Sequence, residues 1–452
     1  MLDDVSPPDR RIADRLQLAV NELFSVEDVT LGLPNEPETI RLRGHLRIDS
    51  AQAYPAIAAK FRKLGYTAFL RNDVDHSRQV LLARPGVMPQ ENQQELWLNA
   101  LLYGLTILST LYVGASWSDQ IPPDANLLWP LTHLWLGWPF ALSLMTILTG
   151  HELGHYFAGR YYKVPVSLPY FIPFPIPPLG TMGAFIVMKG QIVNRRQMLT
   201  VGAAGPLVGF VLAVPILVLG LSMSTIIPLN PADLEAGIFM EGNSLLYLLL
   251  KLALFGQILP GSGAPLTVMG TLGETGAALI GTFPLDSGYD VLISPVAMAG
   301  WAGILVTALN LLPVGQLDGG HVLYSLVGQK ARILTWPIIG LLVVMGIFLW
   351  PGWLLWAMLI FFFGQAHPGP LDDVTRLDTP RILVAVAVLA IFILTFTPLP
   401  MRVVGGETPE LASGQGICSL FPLGLVVGVA GWQAWRKRNQ ARDSAAKVDS
   451  HG

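Results

Sequence analysis

A single cysteine, Cys418, stands in 452 residues. The chain can close no internal disulfide and can build no cysteine-based metal site. Charge is scarce too: 13% of residues are charged, against 52% hydrophobic. Soluble domains carry about a quarter charged residues, so most of this chain is expected in lipid. The net charge of -3 offers no basic excess, and no nucleic-acid partner is expected. The first residues carry Asp, Pro and Arg rather than an apolar run. No cleavable signal peptide is expected there, and the first membrane helix should itself direct insertion.

What is present falls into two materials. Residues 1–94 are charged and periodic and read as a cytoplasmic α+β domain. Residues 12–24 suit an amphipathic helix. Residues 39–47 alternate, Ile40, Leu42 and Leu46 against Arg41, Arg43 and Arg47, which is the period of a strand. Residues 50–64 suit a helix with Ser50 as N-cap and Gly65 past its end. Residues 67–72 and 79–83 suit two further strands, and 86–93 a polar linker.

Residues 95–436 read as a transmembrane domain, followed by a basic cytoplasmic tail at 437–452. The fold class is a polytopic α-helical membrane protein of about eight transmembrane helices. They are expected near 96–116, 131–158, 198–222, 291–312, 333–350, 352–366, 382–398 and 419–435. Residues 245–259 are apolar but short, and suit an interfacial or loop helix. With this division the outer loops hold only Lys251 and Arg402 as basic residues. The inner side receives Arg160, Lys163, Arg195, Arg196, Lys330, Arg332, Arg376, Arg381 and Arg436-Lys437-Arg438. That asymmetry puts both termini in the cytoplasm. Between 164 and 190, Pro165, Pro169, Pro173, Pro175, Pro177 and Pro178 forbid a helix, yet the segment is apolar. It suits a re-entrant extended or hairpin element, because irregular backbone at membrane depth needs protein or a water-filled cavity beside it. A surface loop packed on the bilayer is the alternative.

The chemistry concentrates in His151-Glu152-Leu153-Gly154-His155, at the end of the second apolar run. Four residues apart on a helix, His151 and His155 share one face and can grip one metal ion. Glu152 between them can take a proton from an attacking water. Only eight histidines occur in the chain, so an accidental match is rare. A catalytic zinc needs a third protein ligand. Asp318, in Asp318-Gly-Gly-His321, follows the span that starts near 291, and that span runs in the same direction as the one ending in the histidine motif. On its own Asp-Gly-Gly is a turn signal; at this matching depth Asp318 is read as the third ligand. Pro313 and the glycine pair are expected to break the helix and turn Asp318 inward. Asn310 could orient a substrate carbonyl, help stabilise an oxyanion, or pack helices. His321 is read as an outer partner of the site or as a residue facing the headgroups, with the second preferred. His45, His76, His133 and His367 are read as lying away from the site.

These residues resemble the site-2 protease family of intramembrane zinc metalloproteases. The resemblance rests on the His151–His155 motif and on Asn310 with Asp318-Gly, and covers roughly the core 131–328. Gly202-Ala-Ala-Gly205-Pro206-Leu-Val-Gly209 is similar to the family's small-residue helix. The resemblance implies one Zn2+ per chain held by His151, His155 and Asp318, with Glu152 as general base. It implies that Gly180-x-x-Gly183 belongs to a loop that holds the substrate as an extended strand. The substrate would be a single-pass or multi-pass membrane protein, cut in or near a transmembrane segment inside a plasma or thylakoid membrane, in the manner of regulated intramembrane proteolysis. No PDZ insert is visible in 223–290 and no nucleotide-sensing tail. The N-terminal domain, the proline-rich loop and the extra C-terminal spans resemble the cyanobacterial and plant-plastid branch, the "ethylene-dependent gravitropism-deficient and yellow-green" type. Two rivals remain open: a transporter using intramembrane His, Glu and Asp, and a catalytically silent scaffold.

Overall fold

The computed structural model describes residues 9–404 except 35, 74–77, 87–95, 119, 123–125, 189, 230–237, 263–267, 283–287 and 364–368. The expected span at 419–435, the tail at 437–452, Cys418, His76, His367 and most of the 86–93 linker lie outside the described residues.

The N-terminal unit packs α1 (Arg10–Val20) and α2 (Ser50–Lys63) on an antiparallel sheet of β1 (Phe24–Leu33), β2 (Glu36–Leu46), β3 (Tyr66–Asn72) and β4 (Gln79–Pro85), in the order β1-β2-β4-β3. The alternation read at 39–47 is what the sheet uses: Ile40 and Leu42 are buried with Leu16, Val20, Phe24, Ile57 and Phe61. Two details differ from the sequence reading. The cap of α2 is Asp49, whose carboxylate accepts from Ala51 N at 2.9 Å; Ser50 is already helical. β1 was not expected. Its register against β2 shifts between Val26 and Asp28 and again between Leu31 and Leu33, which breaks the period-2 pattern that marks a strand.

The remainder is mainly helical, with short two-stranded pairings between the helices. α3 (Leu96–Ser116) matches its expected span. The second span does not begin at 131. A four-residue α4 (Trp129–Thr132) and a 3-10 turn precede α5 (Trp138–Tyr161), which starts with Pro139 in its first turn, where a missing N–H costs nothing. β5 (Tyr170–Pro173) and β6 (Thr181–Phe185) pair antiparallel, and a Val166–Met188 bridge closes the stem below them. The proline-rich segment is thus a hairpin. α6 (Arg195–Ser222) follows, then β7 (Thr225–Pro228), β8 (Ile238–Glu241), α7 (Leu245–Phe255), α8 (Val268–Ile280) and β9 (Tyr289–Leu292). The span expected from 291 begins later, as α9 (Pro295–Asn310), capped by Ser294.

The chain reverses over 311–317 and starts α10 (Asp318–Val327). Asp318 therefore opens a new helix rather than lying at the far end of the previous span. Gly319 and Gly320 sit within that helix and do not break it. They fit where the reversal is tightest, since a Cβ on Gly319 would lie 2.0 Å from Leu311 O. α11 (Ala331–Phe348) and α12 (Gly352–Phe363) form a hairpin turning at Pro351-Gly352, and α13 (Thr379–Thr395) and β10 (Met401–Val404) end the described chain.

Among the described residues three helical runs are long and apolar enough to cross a membrane: Leu96–Ser116, Arg195–Ser222 and Asp318–Phe348. α5 has 24 residues, and its polar motif lowers its hydropathy below theirs. α9 and α13, with 16 and 17 residues, are shorter apolar helices. α12, with 12 residues, extends about 18 Å at 1.5 Å per residue. α5, α6 and α9 pack on one another. Outside these helices burial shifts two groups of the N-terminal unit: the Tyr54 hydroxyl is pushed up and the Arg71 guanidinium down from their ordinary values.

Candidate metal centre

The last three turns of α5 carry His151, Glu152 and His155 inside the protein, at 4%, 6% and 6% exposure. α10 presents Asp318 to the two histidines. Its Oδ2 lies 3.5 Å from His151 Nε2 and 3.2 Å from His155 Nε2, and the two Nε2 atoms are 3.2 Å apart. Tetrahedral donors at about 2.0–2.1 Å from one centre lie about 3.3 Å from each other. The triangle therefore fits one small dication, and two imidazoles with a carboxylate are a donor set that suits zinc.

Each donor is aimed by a neighbour. His155 Nδ1 lies 2.7 Å from Val201 O on α6, which directs its Nε2 toward Asp318. Asn310 Nδ2 is 3.3 Å from His151 Nε2, so the last residue of α9 reaches the centre. α6 comes this close because its facing residues are glycines. A Cβ on Gly205 would lie 2.1 Å from His155 Nε2, and one on Gly209 3.1 Å from His151 Nδ1. Glu152 is buried beside the triangle, and no hydrogen bond or ion pair holds its carboxylate among the described residues. A buried carboxylate left free in this way has capacity for a ligand that is neither backbone nor side chain.

The structure thus brings together His151, Glu152, His155, Asp318 and Asn310. His321 joins them at the rim: it is 8% exposed, and a Cβ on Gly202 would lie 2.8 Å from its Cβ. The expectation that it faces headgroups is corrected, because three residues after Asp318 it shares the inward face of α10. Gly180 and Gly183 sit on the hairpin. Gly180 (φ +73) presses on α3, where a Cβ would lie 2.8 Å from Ser109 O; Gly183 (φ +87) faces open space. The outer edge of β6 pairs with no strand among the described residues. From behind, α3 and Trp117 just past its end hold the hairpin by its carbonyls. Asn99 Nδ2 donates to Leu168 O and Pro169 O at 3.2 and 2.8 Å, Ser109 Oγ to Gly180 O at 2.5 Å, and Trp117 Nε1 to Pro178 O at 3.3 Å. His45 pairs with Glu27 at 3.1 Å, and His133 stacks on Trp129 at 4.1 Å between centroids, both outside the centre.

Sequence reasoning missed the Val201 carbonyl, which no side-chain pattern announces. The glycine contacts had a signal in the spacing of 202, 205 and 209, which places all three on one helical face.

Residues 139–349 match peptidase family M50. The probable zinc metalloprotease EGY2, chloroplastic, of Arabidopsis thaliana is 28% identical over 383 residues, 81% of this chain and 62% of that protein. The probable zinc metalloprotease EGY1, chloroplastic, of the same plant is 32% identical over 283 residues, 62% of this chain and 45% of its own. Its counterpart in Oryza sativa subsp. japonica is 31% identical over 345 residues, 71% and 53% respectively. The chain thus spans between 45% and 62% of the length of these relatives. No solved structure matches the chain.

Proposed function

We infer that the chain, whose residues 139–349 match peptidase family M50, is an intramembrane zinc metalloprotease of the site-2 protease family. It hydrolyses peptide bonds in or near transmembrane segments of membrane-protein substrates. The observation that carries this reading is the triangle of His151, His155 and Asp318 donors, 3.2–3.5 Å on a side, beside an unengaged buried Glu152.

His151 and His155 through Nε2, and Asp318 through its carboxylate, would hold one zinc per chain. Zinc supplies Lewis acidity toward a carbonyl oxygen and a lowered pKa for water. The chain's own groups do the rest. Glu152 takes the proton of the attacking water and passes it to the departing amine. The Asn310 amide, now directed at His151 Nε2, is released toward the substrate carbonyl oxygen once that nitrogen serves as a ligand. The free edge of β6 accepts the unwound substrate as an added strand, which compensates backbone groups that leave their helix.

The membrane arrangement proposed is eight spans with both termini cytoplasmic, in a plasma or thylakoid membrane. Contacts between loops support it. β8, from the 223–290 loop, pairs with β10, from the 399–418 loop, both assigned outside by charge. Residues 371–373, assigned inside, contact both β3 of the N-terminal unit and the approach to α6. The transporter and scaffold readings give no reason for three metal-spaced donors beside a free carboxylate. The test is reconstitution with a tagged membrane substrate: chelation should stop cleavage and added zinc restore it. Cleavage that persists after complete metal removal overturns the reading.

A further inference from the structure

A second buried polar network lies where the N-terminal unit meets the membrane helices. Residues 371–373 run extended between β3 and the residues that lead into α6. Leu70 N donates to Leu371 O at 2.8 Å and Asp373 N to Leu70 O at 3.0 Å. On the other edge Leu371 N donates to Ile192 O at 3.0 Å and Asp372 N to Val193 O at 2.7 Å. Asp372, fully buried, spends its carboxylate on its own turn, accepting from Val374 N, Thr375 N and Thr375 Oγ1. Asp373, 5% exposed, reaches the other way. Its Oδ1 accepts from Arg195 Nε at 2.8 Å and its Oδ2 from the Tyr324 hydroxyl at 3.2 Å.

Those two partners stand on the helices that build the metal centre. Arg195 opens α6, and six residues on is Val201, whose carbonyl aims His155. Tyr324 lies on α10, six residues past Asp318. Each tie is thus about 9 Å along a helix axis from its contribution to the centre. One carboxylate joins the two helices at equal distance from the site. The separation of α6 and α10 decides how nearly His155 and Asp318 converge, and a packed helix transmits a displacement at one end to the other.

We propose that Asp373 is a positioning residue for the metal centre: it holds α6 and α10 at the separation at which His155 and Asp318 close on one ion, and the N-terminal unit fixes Asp373 through β3. This rests on the reading of His151, His155 and Asp318 as ligands. The N-terminal unit then bears on the protease site without touching it, and any displacement of β3 from residues 371–373 would loosen the grip on metal.

The experiment times zinc release from the purified full-length chain into excess chelator, beside a thermal melt. Asp373→Ala should speed release about tenfold, the scale on which groups that orient metal ligands act. Tyr324→Phe removes one hydroxyl from the tie and should act in the same direction if Asp373→Ala fails to fold. Asp373→Asn keeps an acceptor for Arg195 and should recover most of the loss. Trp353→Phe breaks a 2.7 Å bond to Pro398 O that involves neither α6 nor α10, and should lower the melting midpoint with no change in release. Wild-type release in Asp373→Ala and Tyr324→Phe overturns the proposal. So does equally fast release from Trp353→Phe, since general loosening would then suffice. For the N-terminal link, Ser50→Cys with Thr375→Cys in a Cys418→Ser background exploits hydroxyls 2.8 Å apart. The oxidised form should release zinc more slowly than the reduced form; equal rates overturn that link. A wild-type chain that binds no zinc overturns the ligand assignment and this proposal with it, whereas zinc bound with unaltered kinetics overturns this proposal alone.

Discussion

His155 Nδ1 lies 2.7 Å from the carbonyl oxygen of Val201 on the adjacent helix. A carbonyl can only accept, so Nδ1 carries the hydrogen and Nε2 is left with its lone pair. The tautomer that a metal ligand requires is therefore set by backbone. The same nitrogen, Nε2, is the one that meets Asp318 and His151.

Metal content follows directly. The purified wild-type chain should hold about one zinc, as three-ligand catalytic sites do. His151→Ala and His155→Ala should each lose most of it by elemental analysis while remaining folded in detergent. Full retention in both would remove the histidine pair from the centre.

The glycine face of α6 gives a sharper steric prediction. In Gly205→Ala the new methyl would meet the His155 ring at 2.1 Å, whereas in Gly209→Ala it would meet His151 at 3.1 Å. Overpacking of this kind costs about 1–3 kcal/mol. Gly205→Ala should lower both zinc content and melting midpoint, and Gly209→Ala should do so less. An undisturbed Gly205→Ala chain would mean that α5 and α6 are further apart than described.

The hairpin should depend on α3. Asn99→Ala removes the donor to Leu168 O and Pro169 O, at about 1 kcal/mol for a typical hydrogen bond. Zinc content should stay unchanged, while KM for a membrane substrate rises by about fivefold, the affinity equivalent of that energy. Unaltered KM would separate the hairpin from substrate binding.

Topology is checked by reporters placed after residue 75, at residue 123 and after residue 442. The first and last should report cytoplasm and the middle one the outside. A cytoplasmic reading at 123 would invert the arrangement and put the centre at the wrong membrane face.

Much of this was legible in the residues. The His151–His155 spacing suits a helix, and the span directions expected from loop charges pointed to Asp318 as a partner of the pair, which the fold brings within 3.5 Å of both histidines. The prolines of 164–190 excluded a helix and left a hairpin. Asp318 was found through the wrong element, because the seven-residue reversal at 311–317 depends on backbone passing so close to Gly319 and Gly320 that a side chain would not fit, a constraint side-chain patterns do not display. β1 escaped because two register shifts blur its alternation. Asp373 escaped for a different reason: its partners, Arg195 and Tyr324, are 178 and 49 residues away in sequence, and only the folded chain joins them.

The most direct test is a single preparation of Glu152→Gln in lipid, assayed for zinc and for cleavage of a tagged membrane substrate. The amide keeps the shape of the side chain but cannot take the proton of the attacking water. Zinc content should equal that of the wild type, and cleavage should fall by about 10²–10⁴-fold, the usual contribution of a general base. Near-wild-type cleavage with zinc in place would contradict the account, because the buried Glu152 carboxylate beside the centre would then have no part in the chemistry.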